Sequence, residues 1–455
     1  MASDVQLERR LGLFPVTNIV IANMIGAGIF TTSGLLMADL RNPLVMLLLW
    51  IVGGVIAFCG AFSYSRLGVA MPHAGGEYLF LSRLYHPMIG FLSGWISFIV
   101  GFSAPIAASA IGFSEYFTRA FPGIIGLENT VPFLSSGAVK KMLALLAILL
   151  FTTIHLRGIE FGARVQNYLT VLKVALIVGL ITVGFAWGEG DINNLASGES
   201  YAWDFGGWKT MGLSLMWIMF AYSGWNASTY IGSEIRNPSK NIPLSLLTGT
   251  GIVVVLYFLL NILFIYAVAP ENMSGVISIG GLAMGNMFGR SMERMFSLLI
   301  SFALFSSLSA FIILGPRVYY SMAKDGYFFR FVSDVNPNRN VPTKAILLQS
   351  GISVVMVLSG TFDQILTYMG FSLGIFPVLA VLGVFRFPRL HNKPFSVTGS
   401  SVPPIIYAIA GTLILLLAFF ERPVESAIAL LTVLAGVPAF FFFKRNHHSK
   451  VTARS

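Results

Sequence analysis

The sequence carries one cysteine, Cys59, in 455 residues. No intrachain disulfide can form, and a zinc or iron–sulfur site built from a set of cysteines is excluded. Charge is also scarce. Asp, Glu, Lys and Arg make up 11% of the chain, against about 25% in a typical soluble protein. So little charge cannot cover a water-facing surface, which makes lipid the implied solvent. The six histidines (His73, His86, His155, His391, His447 and His448) lie at the ends of apolar runs, in loops or in the basic tail, and form no HExxH pattern. An enzyme would need a positioned acid, base, nucleophile or metal set; none is visible, and no metal or cofactor is expected. The N-terminus lacks the small-residue cleavage pattern of a signal peptide.

Hydrophobic residues, in turn, are plentiful, at 56%, and the mean hydropathy is +0.79. A membrane-spanning helix needs about 20 apolar residues. Twelve such runs can be drawn, at roughly 13–38, 44–70, 88–118, 140–156, 163–187, 209–233, 243–268, 292–322, 343–360, 364–385, 402–420 and 424–443. They are continuous rather than alternating, which disfavours a β-barrel. The expected fold is therefore an all-α integral membrane protein of about twelve transmembrane helices, one domain over 1–455.

The net charge of +10 does not indicate a nucleic-acid partner, because the basic residues are scattered through short loops. Twenty of the 29 Lys and Arg residues fall on the side of the termini and eight on the other, with Lys173 inside a span. By the positive-inside rule both termini are cytoplasmic. The acidic segment 188–208 then lies outside. The basic tail after Phe443 suits contact with anionic lipid.

Spans one to five cover 13–187 and spans six to ten cover 209–385. Five is odd, so the second set starts from the opposite side, the arithmetic of a five-plus-five inverted repeat. The two helices of 402–443 are additional.

Two interruptions fall at matching places, in spans one and six. The first reads Ile25-Gly26-Ala27-Gly28-Ile29-Phe30. A glycine costs about 1 kcal/mol in a helix interior but lets a backbone or ligand approach closely. If the helix unwinds here, a second half-helix begins with free N–H groups and a positive dipole end, suited to a carboxylate. Close helix packing by small residues is the competing reading. The second interruption reads Phe220-Ala221-Tyr222-Ser223-Gly224-Trp225-Asn226. Unwound carbonyls there suit an ammonium group, with Phe220 placed to close over a ligand; ordinary aromatic core is the alternative. The predicted ligand contacts are Ile25, Gly26, Ala27, Gly28, Phe220, Ala221, Ser223 and Asn226.

Lys173 is the third feature. A charge at mid-membrane costs about 2.5–3.5 kcal/mol on insertion scales and calls for a partner. Lys173 either replaces a bound sodium ion, carries a proton, or snorkels to an interface.

These motifs resemble the amino acid–polyamine–organocation superfamily, and within it the L-type amino-acid transporters. The resemblance runs from about residue 11 to 440. Four pieces carry it: Ile25–Phe30, Pro72-His73-Ala74-Gly75-Gly76-Glu77-Tyr78, Phe220–Asn226, and the run from Glu234 to Pro243. Met322-Ala323-Lys324-Asp325-Gly326 is a weaker fifth. The resemblance implies a substrate carboxylate at Gly26–Gly28, an amino group at carbonyls of helices one and six, and an aromatic gate at Phe220. It also implies that Lys173 occupies the place of sodium in sodium-coupled cousins, with Ser306 or Ser307 nearby. Residues 119–140 hold no cysteine of the kind animal relatives use to join a glycoprotein partner, so no disulfide-linked heavy subunit is expected. Glu234 and Arg236 are candidate gating residues.

Neither interruption contains a charged residue, and Glu115 and Glu293 sit toward outer span ends. The expected activity is sodium-independent exchange of neutral L-amino acids at the cell membrane, with proton-coupled symport as the alternative. A receptor or a channel on the same fold is the more distant rival.

Overall fold

The computed structural model describes residues 7–124, 137–276, 278–359, 369–391 and 400–452. The apolar runs become helices because a backbone in hydrocarbon must satisfy its N–H and C=O groups within its own segment. Along the chain these are α1 (Leu13–Met24), α2 (Ala27–Leu40), α3 (Pro43–Ala70), α4 (Glu77–Leu84), α5 (Pro87–Ile96), α6 (Ser103–Ala120), α7 (Ala138–Leu156) and α8 (Ile159–Trp187). Then follow α9 (Phe205–Ala221), α10 (Pro238–Ala267), α11 (Ile279–Phe288), α12 (Arg290–Lys324), α13 (Thr343–Ser359), α14 (Ile375–His391), α15 (Val402–Glu421) and α16 (Pro423–Thr452). Starts are marked by local chemistry. The Asn42 side chain accepts from Val45 N at 3.0 Å ahead of Pro43, and Asp204 accepts from Gly207 N at 2.8 Å at the start of α9. Proline at the first helical position loses no hydrogen bond there, since that N–H has no partner within the helix.

Among the described residues, ten helices are long and apolar enough to cross a membrane, and no strand forms. Two expected spans fall short of that standard: α13 is 17 residues long, and the sixth run is helical only over Phe205–Ala221. Beyond Ala221 the chain does not continue as the helix expected to residue 233. It passes through turns and short 3-10 segments at Ala227–Tyr230 and Gly232–Glu234. Residues 364–368 of the expected tenth span lie outside the described residues.

α1, α2, α6 and α12 form the inside of the bundle and are buried over most of their length. α6 packs along α12, α3 along α10, and α1 is held between α8 and α10. The leucine-rich outer faces of α7, α8, α15 and α16, such as Leu146, Leu172, Leu413 and Leu431, are exposed. In a protein whose solvent is lipid, that is where such side chains belong. A π-helical turn at Ser97–Gly101 joins α5 to α6. Such turns interrupt helices often at functional sites, and this one borders the cavity described next.

Candidate functional site

The first run breaks where the glycines stand. Ile25 leaves helical geometry at φ −75° and ψ 91°, and Gly26 is extended at φ −122° and ψ −157°. No side chain caps α2, which starts at Ala27. The second break turns at Gly224, with φ +99°, a value that disfavours any residue with a Cβ. The two breaks touch. A Cβ on Gly28 would lie 2.7 Å from the Ala221 Cα, and one on Gly224 would lie 2.4 Å from the Asn23 side chain. Gly28 therefore does serve close packing. Gly26 does not: its nearest neighbour would be Ser307 Oγ at 3.7 Å. The Tyr257 hydroxyl of α10 sits between the two breaks, 2.7 Å from Met24 O and 3.1 Å from Ala221 O.

Lys173 is 1% exposed and does not snorkel. Its ammonium donates to Ala22 O at 3.1 Å, to Ile25 O, and to Ser307 Oγ at 2.9 Å. Three acceptors match its three donors. Two of them are carbonyls at the C-terminal end of α1, the negative end of that helix dipole. Ser307 also donates to Ile25 O. Ser306 lies elsewhere: it meets Gln166 Nε2 at 3.1 Å and Thr170 Oγ1 at 3.2 Å. Of the two serines, the α12 register brings Ser307 to the lysine.

Gly26, Ala27, Gly28, Phe220, Ala221 and Ser223 line a cavity of about 20 Å³. One water needs about 10–15 Å³, so in this conformation the space between the breaks is closed to an amino acid. A larger cavity, about 120 Å³, lies on the other side of Phe220 and reaches toward α5, α14 and α15. Asn23, Phe220, Ser223 and Phe311 border both.

Asn226 lines the larger cavity, and its amide is already engaged. Its Nδ2 donates to Glu77 Oε1 at 2.8 Å, and the Tyr230 hydroxyl donates to the same oxygen at 3.2 Å. Glu77 is 6% exposed. Burial pushes its carboxyl up to about 7, against the opposing pull of the hydrogen bonds around it. The sequence places Glu77 in a loop between spans, and nothing in its local pattern reveals this burial. The two interruptions carry no charge of their own, but a carboxylate from outside them, Glu77, lines the larger cavity, which the expectation of a pocket with few charges did not include.

The loop motifs meet at the end of the bundle that holds the N-terminus. Ala74 N donates to Ser233 Oγ at 2.8 Å, and Ser321 Oγ donates to Ala74 O at 2.8 Å. The Tyr78 hydroxyl donates to Asp325 Oδ2 at 2.7 Å. Arg10 N and Leu11 N both donate to Glu234 O, at 2.9 and 2.8 Å. Glu234 pairs with Arg317 of α12, Nη2 to Oε1 at 3.0 Å with both side chains buried, and not with Arg236. Arg236 donates its Nε to Arg9 O at 3.4 Å.

Paired breaks in a helical bundle, closed over by aromatic and small residues, with a buried ammonium beside one of them, define a polytopic membrane carrier. A model of the amino acid permease family matches residues 11–443, and the chain belongs to that family. The Asc-type amino acid transporter 1 of Mus musculus is 25% identical over 96% of this chain and 81% of its own length. The mouse b(0,+)-type amino acid transporter 1 is 26% identical over 96% and 88%. The mouse large neutral amino acids transporter small subunit 2 is 25% identical over 96% and 81%. That last relative is named a small subunit, which runs against the expectation of no heavy partner.

Proposed function

We propose that this amino-acid permease exchanges neutral L-amino acids across the cell membrane by alternating access, without sodium. The observation that carries the reading is Lys173. Its ammonium fills the cluster of oxygens from Ala22, Ile25 and Ser307 beside the first break, where a bound cation would otherwise be needed to balance the end of α1. A fixed positive charge there supports sodium-independent operation.

In the open state the substrate carboxylate meets the N–H groups of Gly26, Ala27 and Gly28. Its amino group meets carbonyls at the breaks, those of Phe220 and Ala221 among them, while Ile25 O is filled by Lys173 and Ser307. Phe220 and Ser223 close over it, and Asn226 positions the far wall. Lys173 and Ser307 hold the first break in shape, with Ser306 one step behind. The closed cavity between the breaks supports an occluded stage of the cycle. The contacts joining Glu234, Arg317, Ala74 and Tyr78 supply the gate at one end.

The inverted repeat is part of the same reading. If spans one to five and six to ten are related by a two-fold axis, equivalent helices face each other near it. The packing of α3 on α10 and of α6 on α12, the second span on the seventh and the third on the eighth, supports that relation. The charge bias of the loops supports cytoplasmic termini. The chain is read as a carrier rather than an enzyme.

The test is uptake of radiolabelled alanine, serine and leucine into proteoliposomes, sodium-free, with and without internal amino acid. Uptake that requires internal amino acid is expected. Uptake that requires sodium, or binding without uptake, would refute the reading.

A further inference from the structure

The larger cavity has a polarity that the neutral-substrate reading does not use. Its lining is mostly apolar, but a buried carboxylate, Glu77, stands at one place on it. Two other buried polar atoms of lining residues, Asn23 Oδ1 and Ser93 Oγ, have no hydrogen-bond partner among the described residues. Leaving a buried polar group unpaired is costly. A cavity lined by a buried carboxyl group and by polar atoms without partners offers polar contacts to whatever fills it. Asn226 and Tyr230 both donate to Glu77 Oε1. They orient the carboxylate, and both act on one of its two oxygens; a carboxylate accepts about four hydrogen bonds. The Tyr64 and Ser93 hydroxyls face the carboxylate without reaching hydrogen-bond geometry.

This cavity shares Asn23, Phe220, Ser223 and Phe311 with the small cavity between the breaks. A substrate whose carboxylate and amino group occupy the breaks extends its side chain past Phe220 toward Glu77. We infer that the larger cavity is the side-chain subsite, and that Glu77 selects neutral amino acids whose side chain ends in a hydrogen-bond donor, an amide or a hydroxyl, over aliphatic ones of equal size. The inference rests on the amino-acid exchange proposed above and names the substrate class within it. Discrimination of this kind is large because an aliphatic side chain desolvates the carboxylate without adding a donor to those of Asn226 and Tyr230.

The test uses the full-length protein in alanine-loaded proteoliposomes. Glutamine and methionine, which are close in length and shape, compete against labelled alanine. Near pH 8, glutamine is expected to compete about tenfold or more better than methionine, the size of a hydrogen bond to a charged acceptor. In Glu77→Gln that ratio should fall by about the same factor, because the amide no longer presents a charged acceptor. Should Glu77→Gln fail to fold, the wild-type ratio is compared near pH 6 and pH 8. The other titratable groups facing Glu77 are the phenols of Tyr64 on α3, of Tyr230 and of Tyr407 on α15. Protonation of the carboxylate should then reduce the preference for glutamine. Alanine exchange with no glutamine preference, or with a ratio unmoved by Glu77→Gln and by pH, overturns the subsite and leaves the exchanger standing. Absence of any amino-acid exchange overturns both.

Discussion

Replacing Lys173 with methionine keeps the length of the side chain and removes the ammonium. Three acceptors then lose a donor: Ala22 O, Ile25 O and Ser307 Oγ. They are not equally affected. Ile25 O keeps the donation from Ser307, and the Ser307 hydroxyl keeps that bond as donor. Ala22 O loses its lysine donor at the point where α1 ends and the helix ladder stops. One buried carbonyl left unpaired costs about 1–3 kcal/mol, and the α1 dipole loses its counter-charge, worth up to about 2 kcal/mol in a buried setting. Against this, the variant no longer buries an ammonium, which offsets part of that sum, so a net loss of about 1–3 kcal/mol is expected. The assay has two readouts on the same purified sample: melting temperature in detergent, and alanine counterflow in proteoliposomes. A lower melting temperature with counterflow abolished is the expected result, because the first break loses the group that shapes it. Full counterflow at an unchanged melting temperature would refute the reasoning, since the carbonyls would then have no need of the lysine.

Gly28→Ala should abolish transport and lower stability by about 1–3 kcal/mol, since its Cβ would meet the Ala221 backbone at 2.7 Å. Gly26→Ala has room for its Cβ and should fold like the parent; equal thermal shifts for the two variants would contradict the packing of the breaks. Arg317→Met leaves Glu234 buried without its partner and should cost about 3–5 kcal/mol. The double variant with Glu234→Gln should recover part of that, and a double variant no more stable than the single one would count against the pair. The Glu77 carboxyl is raised in the folded protein to about 7, so the folded state holds this proton more tightly than the unfolded chain. That contribution to stability is complete below the unfolded value near 4.5 and is lost as pH rises through about 7. The melting temperature of the wild type should therefore fall, relative to Glu77→Gln, between about pH 5 and about pH 8; parallel curves would refute the burial argument.

The sequence is most legible where the signal is local. Hydropathy marks a span without knowledge of its neighbours, so the helical runs could be drawn directly. The paired glycines at Gly26 and Gly28 mark the first break for the same reason. Lys173 stands out because a charge amid Val171, Leu172, Val174 and Ala175 has to find a partner somewhere. The sixth run was harder. Its residues from Tyr222 onward are apolar and aromatic enough to read as helix, yet they turn at Gly224 and continue in 3-10 segments. Packing of Gly224 against Asn23 decides that, and Asn23 lies some 200 residues away in sequence.

Composition and local pattern thus determined on their own that the chain lives in lipid and that it is helical, and they singled out Gly26–Gly28 and Lys173 without deciding between a break and close packing, or between burial and snorkelling. The tertiary structure alone decided which oxygens that cation meets, because a choice between Ser306 and Ser307 is a rotation of about 100° on α12 that no hydropathy pattern fixes. It also decided the fate of Glu77. Residues 71–86 read as a loop, and a loop glutamate is ordinarily solvated. Here the segment folds back so that Gly75 N bonds Tyr230 O and the carboxylate is enclosed by Asn226 and Tyr230. Burial of a polar group is a property of what surrounds it, and those surroundings come from segments far apart in the chain.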